Sequence, residues 1–447
     1  MKITSSAFAF STEDFLSRGK LEGLFDLTRA ILSRDLHPQH YIQLLKARYE
    51  ALEPRVQSLV PAEENPFERL EREVHRLQES PSEKGDLPLF CVPFGLKDTF
   101  HAQGFPTRAG SLLPPHVLTG EEGPLVKKLR GLGALILGKT HTAEFAYLAP
   151  PPTRNPHDPS RTPGGSSSGS AASVAYGLCP IAIGTQTVGS IIKSAAFCGI
   201  FGFKPSFGRA PTEGSIPLSP SLDQVGFFTR DVEGMELAAS VLVENWSSCG
   251  NAGELVLGVP EGPYLRWAGP QAMENLGLAL SRLKECGLKI AEVKVLENFQ
   301  EITLRHRRLM AAEAAQVHRE WFSEFRSLYR PQTLSLIERG TSVSDSEVEI
   351  YREGRVILRE ILMEIMEEKG LTAWISPATV GPAPMGLSNT GESTMNLPWT
   401  YAGLPAISLP FGKSREGLPM GIQLVGRWMK DEELLALAKV LWALLRA

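Results

Sequence analysis

The period of the apolar positions changes along the chain, and each change predicts a different kind of element. Between residues 12 and 58, Leu24, Leu27 and Ile31 recur at helical spacing, and so do Tyr41, Leu44 and Leu45. That recurrence predicts two amphipathic helices. Pro38 falls near the first turn of the second, where its missing N–H does no harm. The charged segment 61–87 predicts a surface helix. From residue 88 the texture becomes α/β. LPLFCVPFGL predicts a strand, LVKKLRGLG a helix closed by glycine, and ALILG the next strand. LVLGV at 255–259 predicts another strand. The helix after it starts at Pro270, carries Met273, Leu276, Leu280 and Leu283 on one face and stops at Gly287. KIAEVKV predicts a further strand. Strand–helix–strand order requires crossover connections, and these predict a largely parallel sheet covered by helices.

Residues 301–369 break this rhythm with long helices rich in Glu, Arg and Met, and Ser344 and Glu347 stand at capping-box spacing before the last one. They form a helical insertion, either a covering layer or a lid. Strand texture returns in ISPATV, LPAISLPFG and GIQLVG. A closing helix from Asp431 carries Leu434, Ala438, Leu441 and Leu445 on one face. The expected organisation is a helical wrap over 1–60 and one α/β/α domain over 61–447. Its sheet should be large, twisted, mixed and mostly parallel.

Composition narrows the function. The 447 residues are 43% hydrophobic and 21% charged, which suits a packed globular protein. Lys+Arg 46 against Asp+Glu 50 leaves a formal charge of -4, without the basic surplus of a general nucleic-acid binder. Cys91, Cys179, Cys198, Cys249 and Cys286 are odd in number and lack a C-x-x-C pair. A disulfide framework or zinc cluster is thereby disfavoured, and a reducing cytosol fits. The start, MKITSSAFAFSTEDF, has too short an apolar run for a signal peptide. No stretch reaches the ~18 apolar residues of a membrane span. A soluble, cytoplasmic protein without membrane or nucleic-acid partners is expected.

The chemistry concentrates in residues 155–209. Gly and Ser dominate the first half, as a backbone in close approach or unusual dihedrals requires. GTQTVGS then puts Ser190 after a tight turn of small residues and before an apolar helical run. Such a turn can aim several backbone N–H groups at one developing oxyanion. A flexible linker is the bland alternative, but this run is embedded between apolar segments. A phosphate cradle would need a lysine that the run lacks.

These segments resemble the amidase signature family, serine hydrolases that cut amide bonds with a Ser–Ser–Lys triad. The family pattern GGSSGGSA is matched by GGSSSGSA from Gly164, and GTDTGGSIRxPAAFCGxxGFKPTxGR by GTQTVGSIIKSAAFCGIFGFKPSFGR from Gly184. CVPFGLKD, ALILGKTHTAEFAY, SLDQVGFFTRDV and GLPAISLPFG…GLPMGIQLVG extend the likeness from about residue 20 to the end. The resemblance implies that Ser190 is the nucleophile, Lys97 the general base and Ser166, after a cis peptide bond, the bridging serine. It implies an oxyanion hole built from the N–H groups of Thr187, Val188, Gly189 and Ser190. By composition Ser166, Ser167 and Ser168 are interchangeable, and the choice of Ser166 rests on family spacing. Lysine can act as a base only if neutral, and burial near Val92, Phe94 and Leu96 would lower its pKa by desolvation. No metal or organic cofactor is implied.

Three departures from the pattern stand out: Gln186 for Asp, Val188 for Gly, and Ile192-Lys193-Ser194 where the family has an Arg and a Pro. Without the Asp a local charge is missing. Val188 restricts the turn to ordinary φ. The GTQT form and PWTYAGLPA at 398–406 resemble a bacterial subgroup with broad amide substrates. The expected reaction is hydrolysis of a small carboxamide, or of an anilide, ester or carbamate (urethane), through an acyl-enzyme. The protein would act as a monomer or homodimer, with a pocket lined by the insertion and residues near Trp399 and Tyr401. The alternative within the family is the A subunit of a glutamyl-tRNA amidotransferase, which works with partner subunits. A non-catalytic binding module would not need Lys97, Ser166 and Ser190 intact.

Two further motifs invite other readings. Gly133 to Thr140 fits GxxxxGK[ST], the P-loop of a nucleotide-binding protein, but its intervening ALIL reads as strand. His141 and Glu144 have ligand-like spacing without an evident third partner, so a structural role is expected. Cys198 reads as a small packed hydrophobe.

Overall fold

The computed structural model describes residues 23–79, 87–247 and 255–446. Residues 1–22, Cys249 and the end of the charged segment 61–87 lie outside the described residues. The chain begins with α1 (Leu24–Leu32), α2 (Pro38–Val56) and α3 (Pro66–Glu79). Then come β1 (Pro93–Lys97), α4 (Pro124–Gly131), β2 (Leu135–Thr140), α5 (Ser168–Ala175) and β3 (Ile181–Gln186). α6 (Ile192–Cys198), β4 (Phe201–Lys204), β5 (Gln224–Thr229) and α7 (Val232–Leu242) complete the first half. The second half opens with β6 (Val256–Glu261), α8 (Pro270–Glu285) and β7 (Lys289–Lys294). The insertion follows as α9 (Phe299–Val317), α10 (Arg319–Phe325), α11 (Pro331–Gly340) and α12 (Asp345–Glu368). β8 (Ala373–Pro377), α13 (Leu397–Ala402), β9 (Ala406–Lys413), β10 (Pro419–Val425) and α14 (Asp431–Arg446) close the chain.

All ten strands join one sheet in the order β2-β1-β3-β5-β4-β9-β10-β8-β6-β7. It is mixed and flanked by helices, as expected, but it is not mostly parallel. The β2-β1-β3 and β8-β6-β7 flanks pair in parallel, whereas every pairing from β3 through β8 across the centre is antiparallel. One of these pairings follows directly from its connection. β9 and β10 are joined by a short turn, and a short turn returns the chain antiparallel without a crossover. LPLFCVPFGL is strand only from Pro93; before it the chain turns, and the Cys91 N–H donates to the Gly133 carbonyl. Met273 is also exposed, while Leu276 and Leu283 on the same helix are buried.

The core is continuous from α1 to α14. α5 lies deep within it and can do so because its side chains are small. A Cβ on Gly169 would sit 2.2 Å from the Ser58 carbonyl oxygen, so only glycine lets this helix pass. The insertion adds a second apolar cluster. Phe145 stacks on Tyr329, with centroids 5.4 Å apart, and meets His318 edge-on at 4.4 Å. α12 starts with the expected Ser344–Glu347 capping box. Among the described residues no helix is long and apolar enough to cross a membrane.

Candidate active site

The carboxyl ends of β1 and β3 face the amino ends of α5 and α6, and the signature residues converge there. Lys97 ends β1 and is fully buried. Its Nζ donates to Ser166 Oγ at 2.8 Å, Ser167 Oγ at 3.0 Å and Thr185 Oγ1 at 2.7 Å. Ser166 Oγ in turn donates to Ser190 Oγ at 3.0 Å. The three residues named from the sequence therefore form one unbroken chain. The Gly165–Ser166 peptide is cis. Geometry also separates the three serines: Ser166 reaches Ser190, Ser167 donates to the Thr185 carbonyl at 3.1 Å, and Ser168 donates back to Gly164 at 2.7 Å.

Burial pushes Lys97 down from its ordinary value near 10.5 to about 7, against the opposing pull of buried Asp223. Leu96 is buried, but strand alternation turns it to the other face, so it does not wrap the amine. The ammonium instead sits among hydroxyls, sealed from water by the sheet and α5. Asp98 does not pair with Lys97; it takes Lys139 at 2.8 Å, and both are buried.

The turn 187–190 is fastened from several sides. Gln186 Oε1 accepts from the Ile191 and Ile192 N–H groups at 2.8 and 3.0 Å, and its Nε2 donates to Thr400 Oγ1 at 2.9 Å. A neutral amide oxygen thus caps α6 where the family pattern has a carboxylate. Thr400 Oγ1 donates to the Val188 carbonyl at 2.7 Å. His306 Nε2 lies 3.0 Å from the Thr187 carbonyl oxygen. The Thr187 hydroxyl donates to Asp223, whose other oxygen accepts the Leu218 and Ser219 N–H groups at 2.7 and 2.9 Å. Burial raises Asp223 to about 6, partly offset by these hydrogen bonds. Val188 keeps a negative φ, as its β-branch requires. A Cβ on Gly189 would lie 2.3 Å from Asn396 Oδ1. Lys193 is buried and donates to the Gly391 carbonyl at 2.7 Å.

The family model described as Amidase matches residues 40–435. The chain belongs to the amidase signature family. Among curated relatives, the A subunit of the glutamyl-tRNA(Gln) amidotransferase of Nitratidesulfovibrio vulgaris (strain DP4) is 30% identical, over 92% of this chain and 94% of its own length. Its counterpart in Chlamydia abortus is 31% identical over 76% and 79%. A solved structure described as an amidase superposes with a TM-score of 0.86 and 31% identity, covering 95% of this chain and all of that one. Peptide amidase from Stenotrophomonas maltophilia shares the fold, with a TM-score of 0.80 and 24% identity over 96% of this chain and 98% of its own.

The remaining motifs of this amidase-family chain lie apart from the Lys97–Ser166–Ser190 chain. Leu135–Thr140 is strand β2, so the GxxxxGK[ST] match forms no phosphate loop. Glu144 accepts from the Arg330 N–H, and no cluster of three potential metal ligands occurs among the described residues. Cys198 Sγ packs against the Pro163 carbonyl, and burial raises its thiol far above the usual range. Trp399 and Tyr401 are both buried, donating to Tyr264 Oη and the Tyr351 carbonyl. A cavity of about 840 Å³ lies between α2, α3, β2 and the 104–108 segment, and one of about 390 Å³ between Val60, Asp98, the 108–111 segment, His141 and Arg330; Lys97, Ser166 and Ser190 line neither. Sequence reasoning missed the roles of Thr185, Asp223, His306 and Thr400. Asp223 lies inside the SLDQVGFFTRDV motif, which could have drawn notice to it; His306 carries no signal at all.

Proposed function

We propose that this chain hydrolyses carboxamide bonds of small molecules through Lys97, Ser166 and Ser190. The observation that carries the reading is the buried Nζ–Oγ–Oγ chain with links of 2.8 and 3.0 Å, ending on a lysine near neutrality. A serine hydroxyl needs a base to become a nucleophile. Neutral Lys97 takes the Ser166 proton as Ser166 takes that of Ser190, and Ser190 Oγ bonds to the carbonyl carbon. The N–H groups of Thr187, Val188, Gly189 and Ser190 hold the oxyanion. As the C–N bond breaks, the relay returns a proton to the leaving nitrogen. Water then cleaves the acyl-enzyme by the reverse path. The same steps extend to anilides, esters and carbamates, and the chain acts alone, as monomer or homodimer.

The curated relatives favour a second reading, the glutaminase component of a tRNA-dependent amidotransferase. Gln186, Val188 and Ser194 in the signature and the PWTYAGLPA segment speak for the first. Purified chain should hydrolyse at least one member of a panel of aliphatic amides, anilides, carbamates and esters unaided. Ammonia released from glutamine only on adding partner subunits would install the second reading. Ser190→Ala should abolish covalent labelling by a fluorophosphonate, and labelling at an undiminished rate would move the nucleophile elsewhere.

A further inference from the structure

We propose that His306, carried by α9 of the helical insertion, is a positioning residue that aims the Val188 N–H into the oxyanion hole. Its kinetic consequence rests on the amidase reading; its structural consequence does not.

A carbonyl oxygen only accepts, so the 3.0 Å contact assigns the hydrogen of His306 to Nε2. The Thr187–Val188 peptide is planar and trans, so its C=O and N–H point in opposite directions. Holding the Thr187 oxygen from the insertion side therefore fixes where the Val188 hydrogen points. Val188 is the residue that replaces a glycine of the family pattern.

Two observations mark this contact as the reason for the imidazole. His306 is fully buried, and its Nδ1 has no hydrogen-bond partner among the described residues. A buried acceptor without a partner is unfavourable. An apolar side chain would fill the same space beside Tyr401 without that penalty. What the imidazole adds is the Nε2 donor. Burial lowers His306 to about 4, so the ring is neutral at ordinary pH.

The second observation is that the same helix holds Thr187 again by another route. Glu313 lies seven residues along α9 from His306, on the same face. It accepts from Ser219 Oγ at 2.6 Å and the Ser221 N–H at 2.9 Å. That loop leads into Asp223, which takes the Thr187 hydroxyl. Carbonyl and hydroxyl of Thr187 are both referred to one helix of the insertion. The insertion is then part of the machinery that shapes the hole.

The test compares His306→Leu with His306→Gln, whose amide nitrogen can reach the place of Nε2. On an amide that the wild type hydrolyses, the Leu variant should lose about 10- to 100-fold in kcat, with KM changed by less than roughly threefold. The Gln variant should recover most of that loss. Amide hydrogen exchange of the segment 187–190 needs no substrate. It should be faster by roughly tenfold or more in the Leu variant and near wild type in the Gln variant. Wild-type exchange in His306→Leu, or a Gln variant as impaired as the Leu variant, would overturn the proposal. If the Leu variant does not fold, His306→Asn, too short to reach, takes its place against Gln. An inactive, unlabelled wild type would sink the amidase reading, and the exchange comparison would still decide for or against His306.

Discussion

At the residue scale, the buried Lys97 amine of the proposed relay predicts a pH dependence and a stability cost. Its folded value near 7 lies below the free value near 10.5, so it is charged below neutrality and unable to accept a proton. Activity on an uncharged amide should rise with pH up to about 7 and level off, which a kcat/KM–pH profile would read. Linkage gives the stability sign. Between about 7 and 10.5 the unfolded chain holds the proton and the folded chain does not, so stability rises with pH there. Lys97→Met should therefore be inactive yet melt several degrees higher at pH 7. The gain should be greatest below pH 7 and fade by pH 10.5, as calorimetry at a series of pH values would record. Lys97→Ala should impair amide hydrolysis more than ester hydrolysis, since a poor leaving group needs the returned proton. Equal losses would remove its acid–base role.

At the scale of elements, the start of α6 depends on one side chain. Gln186→Leu leaves the Ile191 and Ile192 N–H groups without their acceptor and should cost about 2 kcal/mol or more in urea unfolding. Gln186→Glu keeps an acceptor and should recover most of it. The capping box of α12 provides a contrast: Ser344→Ala should cost about 1 kcal/mol and leave kcat untouched, because that helix end is exposed. Elements were the most readable level of this sequence. Apolar spacing located the helices, and strand texture located the strands, because burial of one face imposes those periods locally. Strand direction was not readable from the same pattern. Alternation of α and β texture pointed to crossovers, whereas the antiparallel centre combines one short return, β9 to β10, with pairings between strands remote in sequence, such as β4 with β9.

At the scale of the whole molecule, contacts far apart in sequence close the structure. Asp431, at the start of α14, is buried and accepts from the Ser206 N–H at 2.7 Å, Ser206 Oγ at 2.8 Å and Arg209 at 3.2 Å. Asp431→Ala should cost about 3 kcal/mol, seen as a lower urea midpoint, because the Ser206 N–H and hydroxyl lose their acceptor and Arg209 loses one of its two carboxylates. Distance along the chain also explains what the sequence hid at the site. Lys97, Ser166 and Ser190 sit in compact motifs whose spacing a family pattern preserves. His306 is 119 positions from the carbonyl it holds and lies in a helix with no motif of its own. No local periodicity reports such a contact.

The three hydroxyls around the Lys97 amine have one more consequence. A charged amine has three hydrogens to give and meets three hydroxyl oxygens, but a neutral amine has a lone pair that can take one hydrogen back. In the proposed relay Ser166 is the hydroxyl that turns, and Ser190 must then turn with it. Two hydrogens then shift in a single event. In mixtures of light and heavy water, the acylation rate should fall along a bowed curve, and a straight line would mean that only one hydrogen is in flight.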